Sequence, residues 1–322
     1  MKAEKILITG GCGFIGLNLV EYFLDKTDYT INILDNLSVG REEDLRKIKN
    51  YDKKRVCFYK GDIREIKDIK PAIKKCDFVV NLAAQTDVIE SIKNPLFDAE
   101  VNIFGLINLL NLSKKHNIKR FIQASSAAPL GEQVPPVDEE KIPRPLSAYG
   151  ASKLSCEGYC SAFSGSYNLK TVALRFSNVY GPYSYLKGSV VAKFIKDILS
   201  NKKPVIYGSG DQTRDFVHAR DIANAIHLSI KNDDLQGFSL FQIGTGVETS
   251  INSLYEKISS ILRNEEFEVG KPLYKAERAG EIYRNYCDIS LASEKLGFKP
   301  EYSLNKGLQD TIGWFLSDKY LG

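Results

Sequence analysis

The sequence predicts an α/β fold, a doubly wound parallel sheet followed by a smaller C-terminal lobe. Three observations predict it. Short β-branched, apolar runs alternate with helical stretches through the first 180 residues, a glycine cluster separates the first run from the first helix, and the rhythm changes after residue 181.

The first strand is KILITG (5–10), an apolar run ending in glycine, and FIGLNLVEYFLDK (14–26) follows with helical spacing. YTINILDN (29–36) is β-branched and ends in an acid. The same strand character returns in RVCFYKGDI (55–63), CDFVVNLAA (76–84), RFIQASS (120–126) and KTVALRFSNVYG (170–181). Helical stretches fall between them, notably PLFDAEVNIFGLINLLNLSKK (95–115) and YGASKLSCEGYCSAFSG (149–165). Beyond residue 181, VVAKFIKDILSNKKP (190–204) reads as an amphipathic helix, RDFVHARDIANAIHLSI (214–230) as strand then helix, and FSLFQIGTG (238–246) as another strand. The tail from SINSLYEKISSILRN reads as helices and turns. The expected division is a sheet domain over 1–180, joined by late elements near 215–245, and a lobe over 181–322.

Composition narrows the class. With 43% apolar and 26% charged residues and a mean hydropathy of −0.23, a chain of 322 residues can bury a sizeable core. The net charge is only +4, with lysines interspersed among acids, which excludes the concentrated basic stripe of a nucleic-acid-binding surface. No apolar run approaches the roughly 18 residues of a membrane span. The N-terminus, MKAEKILITGG, enters a strand directly and lacks the layout of a signal peptide, so a cytoplasmic protein is expected. Cys12, Cys57, Cys76, Cys156, Cys160 and Cys287 form no CxxC pair. Cys156 and Cys160 share a helix face, but no histidine is near them in sequence; they read as small core residues, and no metal is expected.

ITGGCGFIG places Gly10, Gly13 and Gly16 directly after the first strand. A tight turn there needs residues without Cβ, and the helix N-terminus then offers free amides to a pyrophosphate. Phe14 and Ile15, in the first turn of that helix, belong to the same cradle. Asp35 ends the second strand, where a carboxylate accepts hydrogen bonds from both adenosine ribose hydroxyls and repels a 2′-phosphate. Asn36 follows it and no arginine does, so NAD is favoured over NADP. Taken alone, the glycines would also serve a plain structural turn.

PLSAYGASKLSC (145–156) sets Tyr149 and Lys153 one helical turn apart, with Ser147 available as a cap. A phenol has a reference pKa of about 10, too high for a base at neutral pH, and an ammonium one turn away favours the phenolate. Tyr149 would take the proton from a hydroxyl while a nicotinamide collects hydrogen from the carbon beneath. Ser126, at the end of a strand, would hold the same oxygen, and Lys153 the nicotinamide ribose. By itself the pair is equally a surface tyrosine beside an unrelated lysine.

Together, the GxxGxxG turn, NLAAQT after the fourth strand, SSAA after the fifth and Tyr149-x-x-x-Lys153 resemble the extended short-chain dehydrogenase/reductase family. Within it the chain is similar to the nucleotide-sugar epimerases and dehydratases: RFSNVYGP (175–182), TRDFVHARDIANA (213–225) and RAGE (278–281) match their later motifs in order. The resemblance implies a Rossmann NAD-binding domain over 1–180, a nucleotide-sugar-binding lobe over 181–322, and Ser126, Tyr149 and Lys153 as catalytic residues. It implies Asp62 and Ile63 near the adenine, Leu82, Ala83 and Ala84 along the nicotinamide, and the turn after 176 covering it. Arg214 and Arg278 would clasp the sugar-nucleotide diphosphate with an amide contact from Asn178, and the helix from Val190 would border the base. A homodimer through helices around 98–112 and 150–164 is also implied.

Related 4,6-dehydratases carry an Asp-Glu pair directly after the catalytic serine or threonine. Here Ala127 and Ala128 stand there, and methyl groups cannot move protons. A 4-epimerase needs no such pair, because the ketose formed at C4 turns over in the pocket and is reduced from its opposite face. The expectation is therefore NAD-dependent 4-epimerisation of a UDP-hexose, UDP-glucose or UDP-galactose. Asn285 stands, counting from Arg278, where some 4-epimerases hold a bulky tyrosine, which adds UDP-N-acetylhexosamines. The chain departs from the family in placing Pro129, Leu130, Gly131 and Glu132 where Val-Tyr-Gly is common. Glu132 or Asp87 would be the proton source of an unusual dehydratase. A 4-keto-sugar reductase and a non-catalytic dinucleotide-sensing scaffold complete the range of functions.

Overall fold

The structure is a computed structural model that describes residues 3–277 and 282–317. Its centre is one sheet of seven parallel strands: β1 (Lys5–Thr9), β2 (Thr30–Asp35), β3 (Val56–Lys60), β4 (Phe78–Asn81), β5 (Arg120–Ser126), β6 (Thr171–Phe176) and β7 (Phe238–Ile243). They lie in the spatial order β3-β2-β1-β4-β5-β6-β7.

The labelled helices are α1 (Phe14–Lys26), α2 (Ile66–Ile73), α3 (Gly105–Lys115), α4 (Ala148–Tyr167), α5 (Val190–Leu199), α6 (Ala219–Lys231), α7 (Ile251–Asn264), α8 (Ser290–Leu296) and α9 (Leu304–Leu316). Strand side chains alternate between faces, so Ile6 and Ile8 pack with α1, α6 and α8 through Leu17, Phe23, Ile222, Ile226 and Ala292. Leu7, between them, joins the opposite core with α2, α3 and α4 through Ile69, Leu109, Leu110, Cys156 and Cys160. Both faces being covered explains why the central strands are largely apolar, with Asn32, Gln123 and Arg175 among the buried polar exceptions. A third core, in the lobe, packs Phe194 and Ile195 of α5 against Leu254 and Ile258 of α7 and Leu308 and Ile312 of α9.

Four segments differ from the sequence reading, one being Leu273–Lys275, a short strand paired with Val205–Tyr207 in the tail where only helices and turns are expected. The stretch 95–115 is helical but contains a π turn at Glu100–Phe104, between a short helix at Pro95–Ala99 and α3. The strand read over 170–181 ends at Phe176, where the chain turns into the lobe; Asn178–Tyr180 pairs instead with Phe216–His218 in a separate two-stranded sheet. The helix read over 190–204 ends at Leu199, where Asn201 turns left-handed (φ +54°) and the Lys202 N–H donates to the Asp197 carbonyl at 2.7 Å, and Val205–Tyr207 is a short strand. No helix among the described residues is long and apolar enough to cross a membrane.

β1 and β4 are neighbours although two strands intervene in sequence, so the chain reverses direction across the sheet at this point. A crevice opens beyond the carboxyl ends of such a pair, and ligands bind there in open α/β sheets.

Candidate active site

A cavity of about 440 Å³ occupies that crevice. At its floor Gly10 has φ +70°, a left-handed conformation, and a Cβ there would lie 2.8 Å from the Ala83 backbone nitrogen. A Cβ on Gly16 would run into the Gly10 carbonyl oxygen. The first turn therefore lies tight against the loop after β4. Gly13 is the N-cap of α1; no side chain among the described residues caps that helix, and its first turn holds no acid. The free amides and the positive end of the helix dipole suit an anion.

Asp35 closes one end. Its Oδ2 accepts the Cys12 N–H at 2.9 Å and its Oδ1 accepts the Leu37 N–H at 2.8 Å, leaving each oxygen a further lone pair. Burial pushes the carboxyl above its ordinary value, and these two amides pull the other way. Burial, helped by the charge of Asp35, pushes the Cys12 thiol up and keeps it protonated. The Arg64 guanidinium grips Asp62 at 2.8 and 3.0 Å and holds its carboxyl at about 2, while Asn36 donates to the same group at 3.0 Å.

The other end is built by α4. Ser147 caps the helix, its Oγ accepting the Gly150 N–H at 3.1 Å, and the Tyr149 N–H donates to Ser91 Oγ at 3.1 Å. Lys153 is buried; its Nζ donates to the Ala124 carbonyl at 2.9 Å and stands 5.7 Å from the centre of the Tyr149 ring. One turn further, Glu157 accepts two hydrogen bonds from Arg175 of β6, at 2.9 and 2.8 Å, and one from Ser125 of β5 at 2.5 Å. This buried cluster fixes α4 to the strand ends that bear the site. Asn102, in the π turn, accepts from the Gln85 N–H and donates to Ser152 Oγ, so the loop after β4 is tied to α4 as well.

The residues read as cofactor-binding (Gly10, Gly13, Phe14, Ile15, Gly16, Asp35, Asn36, Asp62, Ile63, Leu82, Ala83, Ala84, Tyr149 and Lys153) all line this one cavity. Phe176, at the turn expected over the nicotinamide, lines it too. Ser126 ends β5 beside the lining residue Ser125, and its Oγ accepts the Ala128 N–H at 3.2 Å.

Of the residues read as substrate-binding, Asn178, Val190, Arg214 and Asn285 are spread over the lobe, and neither they nor Ser126 line the cavity. Asn178 opens a short strand, its N–H bonded to the Asp215 carbonyl, and Val190 is the first residue of α5. Arg214 lies in a two-residue strand paired with Thr249–Ser250, next to Thr213, whose N–H reaches the Tyr283 carbonyl and so brings the segment bearing Asn285 alongside. Arg278 lies outside the described residues. The sequence reading missed the outer wall: Tyr183, Tyr185, Leu186, Lys187 and Trp314. Tyr183 and Trp314 meet edge to face at 5.3 Å, a contact between positions 131 residues apart that no local pattern announces.

A family model described as GDP-mannose 4,6 dehydratase matches residues 7–311. A UDP-glucose 4-epimerase of Mycolicibacterium smegmatis is 31% identical over 97% of this chain and 98% of its own. Among solved structures, a UDP-N-acetylglucosamine 4-epimerase from Methanobrevibacter ruminantium M1 in complex with UDP-N-acetylmuramic acid superposes with a TM-score of 0.90 at 36% identity, covering 98% of this chain and 99% of that one. A Thermus thermophilus UDP-glucose 4-epimerase in complex with NAD gives a TM-score of 0.85 at 29% identity, with 98% and 99% covered.

Proposed function

The chain belongs to the extended short-chain dehydrogenases/reductases that serve as nucleotide-sugar epimerases and dehydratases, and on that premise we propose that it is an NAD-dependent UDP-hexose 4-epimerase. Its substrates are UDP-glucose and UDP-galactose, with room at Asn285 for UDP-N-acetylhexosamines, and it works in the cytoplasm. The observation that carries the reading is that Tyr149 and Lys153 share one cavity with an uncapped glycine turn and Asp35, while Ala127 and Ala128 follow Ser126. The first part provides for NAD and proton transfer. The second withholds the acid–base pair of an elimination. Neither substitute proton source is built for that task, since Glu132 is exposed and Asp87 caps a helix by accepting the Glu90 N–H at 3.0 Å.

The site fits NAD. The glycine turn and the amides of α1 would take the pyrophosphate, Asp35 the adenosine ribose, Asp62 and Ile63 the adenine, and Leu82, Ala83 and Ala84 the nicotinamide side. When bound, NAD supplies the hydride acceptor and donor of the reaction. The protein's part is the proton. Tyr149 takes it from the C4 hydroxyl and returns it after the ketose has turned, Ser126 holds that oxygen, and Lys153, anchored on the Ala124 carbonyl, holds the ribose and the ring of Tyr149 in place. In the lobe, Arg214 and Arg278 grip the diphosphate, Asn178 assists them, and the start of α5 at Val190 borders the base.

Incubating the purified chain with UDP-glucose and with UDP-N-acetylglucosamine, and resolving products by NMR, tests the assignment; 4-epimers are expected, and a keto-deoxy sugar would mark a dehydratase instead. Tyr149→Phe, folded and loaded with NAD, is expected to lose about 10²- to 10⁴-fold in kcat. Undiminished turnover would overturn the mechanism.

A homodimer accompanies this reading. Ile89 and Ile92 (62% each), Leu96 (76%) and Phe104 (61%) leave large apolar side chains exposed on the short helices and π turn that pack against α4. Pairing with a second copy would cover them.

A further inference from the structure

The segment 183–187, just after the short strand Asn178–Tyr180, contributes Tyr183, Tyr185, Leu186 and Lys187 to the wall of the cavity. The lobe carries it: Lys196 Nζ of α5 donates to the Tyr185 carbonyl at 2.8 Å and to the Lys187 carbonyl at 3.0 Å. Two side chains tie it to the sheet domain, one at each end. The Tyr183 hydroxyl donates to Glu21 Oε2 on α1 at 2.8 Å, and Lys187 Nζ donates to Thr86 Oγ1 on the loop after β4 at 3.3 Å. The first amides of α1 suit the pyrophosphate, and the loop after β4 is the nicotinamide side. A segment fastened to both spans the two halves of the dinucleotide site.

Tyr183 sits in the left-handed region, at φ +64°. A bulky side chain is seldom found there, and such strain persists only where surrounding contacts over-determine it. Three contacts do so. The Pro182 carbonyl accepts Asn18 Nδ2 of α1 at 2.8 Å, which fixes where the segment begins. The Tyr183 ring meets Trp314 edge to face at 5.3 Å. Its hydroxyl is held by Glu21, a buried acid whose Oε1 is itself gripped by Arg220 of α6 at 3.0 Å. Once the hydroxyl lets go, the backbone at 183 is free to relax into its preferred regions, and that rotation swings residues 184–187 relative to α1.

Resting on the assignment of this cavity to NAD, we propose that residues 183–187 form a strap over the dinucleotide, latched by Tyr183 on Glu21, and that NAD enters and leaves only when the latch opens. In a 4-epimerisation the dinucleotide that takes the hydride must still be in place to return it. A strap that is slow to open provides for that, because it sets the exchange rate rather than the chemistry. Tyr183 is thus a positioning residue, and its strained backbone makes the latch a held state.

The test times NAD exchange with no sugar present, so the 4-epimerase reading does not enter it. Release is followed by mixing the chain loaded with labelled NAD into excess unlabelled NAD. Entry is followed by the fluorescence of Trp314, the single tryptophan of the chain, on mixing the apo protein with NAD. Tyr183→Phe keeps the ring and loses the hydroxyl. It should speed release and entry alike, each about 10- to 100-fold, as for loss of a hydrogen bond to a carboxylate, while the equilibrium affinity changes far less than either rate. Glu21→Ala should have the same effect, and combining the two should add little. Faster release with unchanged entry, and affinity lost in proportion, would make Tyr183 a plain wall contact and overturn the proposal. Unchanged release, or additive effects of the two substitutions, would overturn it as well. A wild-type chain that takes up no NAD would bring it down together with the assignment of the cavity.

Discussion

Asp35 spends one lone pair of each carboxylate oxygen on a backbone amide and keeps the others for the cavity it lines. Asparagine keeps the shape but removes the charge and half of the accepting capacity. Asp35→Asn should therefore weaken NAD binding about tenfold or more, as for loss of a hydrogen bond to a charged group, and narrow the preference for NAD over NADP. Titration of the apo chain with each dinucleotide checks both. This carboxylate was legible in the sequence, as were Gly10 and Gly16, because their roles follow from their place at the end of a strand or in a turn. Lys187 and Trp314 were not, since neither interrupts nor marks a local pattern. They reach the cavity only because the lobe folds back over the sheet.

The helix α4 is positioned by what lies behind it. Glu157 and Arg175 are both buried and bonded to each other twice, so removing the acid leaves a guanidinium without compensation in the sheet. Glu157→Ala should cost about 3–5 kcal/mol in denaturant unfolding, the range for breaking one side of a buried pair, with catalysis falling as Ser125 and the Tyr149 helix loosen. The segment carrying Asn285 is held differently. The Arg284 guanidinium grips Glu248 twice at 2.7 Å and holds its carboxyl at about 2, below the ordinary 4.5. Its value in the folded chain is depressed, so the tie contributes fully above about pH 4.5 and is lost as pH falls through about 2. The wild-type melting temperature should fall more steeply across that window than that of Glu248→Gln. An identical slope in the two proteins would show that the tie carries no pH-dependent stability. Helix 95–115 was legible as a helix but its π turn was not, because the insertion is selected by the side-chain bonds of Asn102 to Gln85 and Ser152, which are tertiary.

For the molecule as a whole, the apolar residues exposed on the outside of the short helices bear on the proposed homodimer. Leu96→Glu combined with Phe104→Glu puts charge into that face without touching the cavity lining. Light scattering after size exclusion should report a dimer for the wild type and a monomer for the double variant. A monomeric wild type would remove the basis for a shared helical face. That the sheet is doubly wound was legible in the alternation of strands and helices; the order β3-β2-β1-β4 was not, because right-handed crossovers leave the position of the reversal open. The three cores were implicit only in part: apolar stripes show that a helix is covered, not by what.

By itself the sequence determined what is local: the apolar strands that demand two covered faces, the glycines that a tight turn requires, the acid at the end of β2, and the one-turn spacing of Tyr149 and Lys153. Each follows from backbone sterics or helix pitch acting over a few residues. Only the tertiary structure decided which of these meet in one cavity, what anchors Lys153 and Glu157, and that Tyr183, Lys187 and Trp314 form the outer wall. Those contacts join residues far apart in sequence, and the energies that select them come from burial and pairing, which exist only once the lobe and sheet have closed on each other.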